Sequence, residues 1–544
     1  MGGERHYLSD AEREFCNKYE LPLRTVSAQE RQKEILIWRN RAHLFNGVCA
    51  RSGAKVFTCI PPERRNFVVY DIDCWEAEDW DACAYGRSYD FKRPFFEQFA
   101  ELLRVVPIPN LAVIRSIMEN SDYTNGITGA KNCYLVFSAS YNEDCLFSKS
   151  INYCKNVVDC VLGVKSELCY DCVNIHNCYN LKFSESCHNC SDSAFLAHCL
   201  GCHDCYGCVN LNNKEYHFFN EKCSKAEYEK RISKIDFGSS EVVEQEKRRF
   251  AEFQARFPLK YLIGRNNENS SGNYLDHTKD CHASYFLNDA EALEHSIWVS
   301  KGKSSFFHCM YGNGSEVIYS CHAAGDGVYN LKFCNDCWQG ARDLEYCMWT
   351  SYGSAHCFGC ISLKKKSYCV FNKQYSKEEY FALVARIKEQ MRATGEYGKF
   401  FPITLSPFYY NTSEVNEFFP LSRDDAVAEG FSWRAEEEVP PFTSTVPADH
   451  INDVGDDILG VTLSCAQSGK RYKIVKEELA YYRSGRLPVP RVSPLERLKL
   501  KAGIYAVEPL RDGKCSRCSE SFVTAVPHSG RRILCERCYQ EARN

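Results

Sequence analysis

The chain has 544 residues, 33 of them cysteine, with 44% hydrophobic and 13% aromatic residues and a formal net charge of −4. That length suits roughly three to five domains, and so small a net charge excludes a polyanion binder acting over the whole surface. No apolar run of roughly 18 residues occurs, which excludes a single helical membrane span. The charged first twenty residues lack the apolar core of an export signal. We therefore expect a cytoplasmic protein whose thiols are free or metal-bound.

Residues 1–118 read as a degenerate zinc-finger-like and α+β module. Leu21-Pro-Leu-Arg-Thr-Val-Ser-Ala-Gln-Glu-Arg31 parallels Leu487-Pro-Val-Pro-Arg-Val-Ser-Pro-Leu-Glu-Arg497 at an offset of 466. At that offset Cys49 falls on Cys515, whereas Ser52 stands in place of Cys518. Cys49 and Cys59 then have two readings: ligands of a metal helped by His43, or core cysteines, of which we favour the second. Asp71, Asp73, Glu76, Asp79 and Asp81 alternate with Trp75 and Trp80. They suit a cation or acid–base role, but more ordinarily hydrogen-bond partners. A helix is expected from Pro94, burying Phe95, Phe99, Leu102 and Leu103 on one face.

Two lobes follow, at about 119–262 and 263–398. Glu119-Asn-Ser121 returns as Glu268-Asn-Ser270, Lys131-Asn-Cys133 as Lys279-Asp-Cys281, and Tyr179-Asn-Leu-Lys-Phe183 as Tyr329-Asn-Leu-Lys-Phe333. A finer 18-residue repeat places Asn156, Asn174, Asp192 and Asn210 two residues after cysteines. Every cysteine from Cys133 to Cys223 falls on one third of the positions, and that register carries no charge from Cys133 to Leu211. A charge-free register is buried. A period of three demands frequent corners, and in this geometry the stretch resembles the small Cys-rich β-helices of insect antifreeze proteins. The predicted fold is mainly β with α caps: two tandem Cys-rich parallel β-solenoid lobes of about 18 residues per coil, with stacked Asn and Asp at the corners. Ser224 with Glu227 and Ser376 with Glu379 are capping boxes for helices that close the open ends.

Within the solenoid, Cys169 and Cys172, Cys187 and Cys190, Cys334 and Cys337, Cys357 and Cys360, and the run Cys199, Cys202, Cys205, Cys208 suit a soft-metal or iron–sulfur array. His188, His198, His203, His282 and His322 lie nearby in sequence. Ser, Ala, Val and Ile interchange with cysteine in that register, which favours core packing. Residues 399–458, with Pro402, Pro407, Pro420, Pro440, Pro441 and Pro447, read as an extended connector.

Residues 459–544 form a basic module; from Lys470 onward 17 Lys and Arg face 8 Asp and Glu. Cys515-Ser-Arg-Cys518 and Cys535-Glu-Arg-Cys538 present two CxxC pairs flanking a hairpin-length spacer. Four thiolates at this spacing predict one structural zinc, with no position open to water, in a treble-clef arrangement. Cys465-Ala-Gln-Ser468 is a half-lost copy. Walker A, GxGxxG, GxSxG and HExxH patterns do not occur.

Trp80-Asp-Ala-Cys-Ala-Tyr-Gly86, Arg93-Pro-Phe-Phe-Glu-Gln-Phe99, Glu119-Asn-Ser-Asp-Tyr123 and the Gly-Cys-x-x-Leu sequences at Gly207 and Gly359 carry a resemblance. The chain resembles an uncharacterised family of Cys-rich repeat proteins from small-genome uncultivated bacteria. The resemblance implies treble-clef zinc-finger-like terminal modules around a repeat region, and no activity. The expected function is a non-enzymatic zinc-binding scaffold that displays a rigid solenoid and docks RNA or an acidic protein through its basic tail. The alternative is a metal- or redox-handling protein using the cysteine array.

Overall fold

The structure, a computed structural model, describes residues 8–543 apart from 65, 436–443, 506 and 528. Pro440 and Pro441 of the connector lie outside the described residues. The fold is mainly β: two parallel β-solenoids with few helices. In the first, strands pair from Met118–Glu119 to Glu215–Phe218; in the second, from Gly264–Arg265 to Ser367–Val370.

The coil is 12 residues, not the 18 read from the repeat. Val161 pairs with Val173, and Val173 with Glu185. Every third residue, among them Asn132, Leu135, Ser138 and Tyr141, adopts a left-handed conformation. Each of these turns the chain, so four three-residue sides close one coil. Eighteen residues make one and a half coils and also preserve a period of three, which is why the repeat is visible in the sequence. The consequence is that Asn156 and Asp192 share one edge, whereas Asn174 and Asn210 share the opposite one. The true ladders link residues 12 apart: Asn120 to Asn132 at 3.1 Å, Asn132 to Asp144 at 2.9 Å, and Asn180 to Asp192 at 2.9 Å. Left-handed backbone costs an ordinary residue about 1–2 kcal/mol, least for Asn and Asp. The ladders offset part of that cost.

The second lobe stretches to 13 residues per coil between Lys303 and Ala355, where Lys303 pairs with Glu316, Glu316 with Tyr329, Tyr329 with Arg342, and Arg342 with Ala355. The added residue comes with Gly314, Gly327, Gly340 and Gly353, all at positive φ and spaced by 13.

One outer edge stacks nine levels: Glu119, Lys131, Glu143, Lys155, Glu167, Tyr179, Ser191, His203, Glu215. The second lobe repeats the pattern as Glu268, Lys279, Glu291, Lys303, Glu316, Tyr329, Arg342, Ala355, Ser367. Opposite charges thus meet at each of the first four steps, as in Lys131–Glu119 at 3.5 Å and Lys155–Glu143 at 3.1 Å. Eight spacings of ~4.8 Å give a rod about 38 Å long.

Both rods end alike. The last parallel strand folds back into an antiparallel pair, Glu221–Lys222 and Lys373–Gln374, and a helix follows, Lys225–Ile232 or Lys377–Ala393. Ser376 and Glu379 make both bonds of the capping box; Ser224 only accepts the Glu227 N–H. These elements shield edges that would otherwise template another strand.

The terminal modules repeat too. Helices Asp10–Lys18 and Ala28–Leu36 and strands Phe45–Val48 and Lys55–Thr58 recur at +466 as Lys476–Gly485, Pro494–Ala502, Arg511–Lys514 and Ser521–Thr524. The first helix pair packs on the second solenoid, where Arg31 bonds Glu12 and Tyr319. The second pair packs on the first, where Arg497 bonds Asp159 at 2.8 Å. Arg39 bridges the rods, donating to Ser138 of the first and contacting His322 of the second. Helix Phe95–Val105 buries Phe95, Phe99, Leu102 and Leu103, and the Glu396 carboxylate accepts its first N–H groups at Phe95 and Phe96.

Candidate metal centre

Three β-hairpins of one design occur. In each, a cysteine opens a tight turn whose fifth residue donates back to it: Gly53 to Cys49, Gly469 to Cys465, Ser519 to Cys515, all at 2.8–2.9 Å. Left-handed backbone at Gly53, Gly469 and Ser519 makes the turn possible. The residue after the cysteine then donates to a distant extended segment: Ala50 to Val69, Ala466 to Arg491, Ser516 to Ile533. That segment leads into a helix, Ile72–Glu76, Pro494–Ala502 or Glu536–Arg543, so the residues opening the helix face the hairpin's sulfur.

In the third copy, Cys515, Cys518, Cys535 and Cys538 place their sulfurs within 4.8 Å of one another. Cys518 and Cys535 Sγ are 3.6 Å apart. Thiolates around zinc at ~2.3 Å in a tetrahedron stand about 3.8 Å apart, so the four residues fit a metal ion of that size. Burial pushes the Cys515 thiol up, but the N–H groups of Cys535, Cys518 and Arg517 outweigh it and bring it down to about 6. A thiolate so stabilised is a metal ligand in waiting.

The other copies have lost ligands. Ser52, Asp71 and Cys74 surround Cys49; Ser468 and Ser493 face Cys465. Both remaining sulfurs still accept the helix-opening N–H, at 3.3 Å from Asp71 and Ser493. Against burial, the Ser52 or Ser468 hydroxyl together with these bonds brings each thiol down to about 7. Cys74 thus stands where the sequence reading placed Cys59 and His43. Cys59 is instead buried beside Arg41 and Asp336, and burial pushes it up to about 12. His43 is half-buried, and loss of solvent pulls its pKa down to about 4. Cys74 escaped the reading because the second half of this module sits at an offset of 464 rather than 466.

The third module clasps the junction between the lobes. Ile533–Leu534 pairs with Leu259–Lys260, Lys260 meets Glu536 at 2.6 Å, and Thr524 donates to the Tyr261 carbonyl at 2.6 Å. On the first solenoid, the Tyr539 hydroxyl donates to Asn210 at 2.8 Å, and Arg543 donates to the carbonyls of His198, Asn210 and Leu211. Much of the basic tail faces the body: Arg497 meets Asp159, Lys501 meets Asp171 at 2.7 Å, and Arg531 donates to the Phe257 carbonyl.

The solenoid thiols follow one pattern. Each inward sulfur donates to the carbonyl two residues back, as in Cys133 to Lys131 at 3.4 Å, Cys169 to Glu167 at 3.3 Å and Cys360 to Phe358 at 3.4 Å. Serines of the register do the same: Ser148 donates to Leu146, and Ser184 to Lys182. Several also accept the N–H one coil on, as Ser148 does from Cys160 and Cys160 from Cys172. Members of a CxxC step sit on adjacent sides of a coil. Among the described residues, two groups bring three or more potential ligand atoms within 4.8 Å: the four C-terminal cysteines, and His176, His188 and Asp276.

The remaining candidates are dispersed. Asp71 caps its helix, Asp73 faces Arg115, Glu76 accepts the Tyr352 hydroxyl, Asp79 pairs with Arg51, and Asp81 pairs with Lys366. His198 faces Glu185, His203 lies beside Asp204 and Glu215, and buried His322 contacts Asn335 and Arg39.

No protein-family model matches the chain, and no curated protein matches it. One similar solved structure is a proposed acetyltransferase from Desulfovibrio desulfuricans G20, 9% identical, covering 49% of this chain and 69% of that chain. Its TM-score of 0.11 carries no argument.

Proposed function

We propose that the protein is a non-enzymatic scaffold in which Cys515, Cys518, Cys535 and Cys538 hold one structural zinc in a module of the treble-clef type. The observation that carries this reading is the seat of the module. Its strand pairs with Leu259–Lys260 at the lobe junction, while its helix bonds the last coils of the first solenoid through Tyr539 and Arg543. A closed four-sulfur site adds folding energy and leaves no position for chemistry. Its task here is to fix the angle between two rods. The negative surface that the basic tail meets is, in this reading, first the chain's own body; RNA or an acidic protein partner is met by what remains outward.

The test is metal content of the intact chain beside a Cys518→Ser/Cys535→Ser double variant. The double variant should carry one zinc fewer. It should also gain salt-sensitive RNA binding as its tail is released. Equal zinc in the two proteins overturns the reading.

A further inference from the structure

The two rods touch through a second group of potential ligands. His176 and His188 occupy equivalent positions on successive coils of the first solenoid, in parallel register, with ring centroids 4.6 Å apart. Asp276 ends strand Gly272–Asp276 of the second solenoid and is 8% exposed. One ligand atom from each lies within 4.8 Å of the others.

The polar atoms here are incompletely used. His188 Nδ1 is buried without a hydrogen-bond partner. One Asp276 oxygen accepts the Arg265 N–H at 3.1 Å, while the other stands 3.8 Å from Arg265 Nε, which itself has no partner. A buried polar group left without a partner costs about 1–3 kcal/mol, and such atoms converging on one point suit a missing ligand. Burial lowers the pKa of both imidazoles, His188 to about 3, so their lone pairs are free at neutral pH. Arg265 and Arg543 face His188 with positive charge, which weakens cation binding here relative to the four-thiolate site.

We propose that His176, His188 and Asp276 form a second site, at the interface of the two lobes, for a divalent first-row transition-metal ion. Two imidazoles and one carboxylate are a zinc or ferrous ligand set, with the remaining coordination positions open. The ion would cross-link the rods at a point separate from the four-cysteine centre.

The test titrates Co²⁺ into the full chain with its tightly held metal left in place, beside His188→Gln and Asp276→Asn. Total ions per chain, native plus cobalt, should be one higher in the unaltered protein than in either variant. Cobalt added to the unaltered protein, or exchanged into this site, should show visible bands without sulfur-to-metal charge transfer. Equal totals in all three proteins overturn the proposal. A failure of the four-cysteine reading would lower all three totals equally and leave this difference intact, and unchanged far-UV circular dichroism of the variants reports that they are folded.

Discussion

At the residue scale, the abundance of cysteine follows from the corner of a three-residue side. The inward residue follows a left-handed one, so its side chain sits over the carbonyl two residues back. A short side chain ending in a weak donor fits there, and cysteine and serine both qualify. Cys160 donates to Val158 at 3.3 Å and accepts from the Cys172 N–H at 3.4 Å. Cys160→Ser should therefore change stability by less than about 1 kcal/mol. Cys160→Leu should cost about 1–3 kcal/mol through overpacking. Melting temperatures of the two variants check this, and a serine variant as damaged as the leucine one would contradict it. That this register is buried was legible in its lack of charge. Why it prefers sulfur was not, because the carbonyl and the N–H that use the sulfur belong to the coil geometry. His176 was passed over for a related reason: its partner is 12 residues away, and the sequence reading counted in eighteens.

At the scale of elements, a solenoid with a three-residue period can slip by a whole side at little cost to its core. Its outer edge must then fix the register. The Glu119–Lys131–Glu143–Lys155–Glu167 ladder does so, because a coil displaced by one side loses the alternation. Glu143→Lys would place three lysines on successive levels. Each exposed pair is worth up to about 1 kcal/mol, and like charges facing each other are destabilising by similar amounts. The melting temperature should fall, and 1 M salt should recover most of the loss. A drop that salt leaves untouched would contradict the ladder's role. The duplicated Glu and Lys positions were visible in the sequence as repeats at offsets of 148 to 152, but their meaning as an edge required the coil length. The starts of the capping helices were legible, because Ser-x-x-Glu spacing is local chemistry, although Ser224 forms only half of its box.

At the scale of the molecule, the chain is crossed. Its first helix pair rides on the second rod and its second pair on the first, through counterparts 466 residues apart: Glu12 and Glu478, Arg31 and Arg497. Sequence comparison found part of that duplication, 21–31 with 487–497, yet not which rod each copy serves, since that depends on contacts between residues hundreds apart. It likewise found the four-cysteine set, whose spacing is local, and read the charge of the tail as free although Arg497, Lys501 and Arg543 turn toward the body. The three hairpin modules differ chiefly in how many ligands survive, and only the copy at the lobe junction keeps four cysteines.

The most direct test of that architecture is hydrogen exchange of the intact chain before and after zinc is withdrawn with a strong chelator. Fast exchange should appear together at 511–543 and at the junction 257–262, with the coils from Cys133 to Cys208 still protected. Exchange left unchanged at the junction, or lost evenly along both rods, would contradict a metal clasp between them.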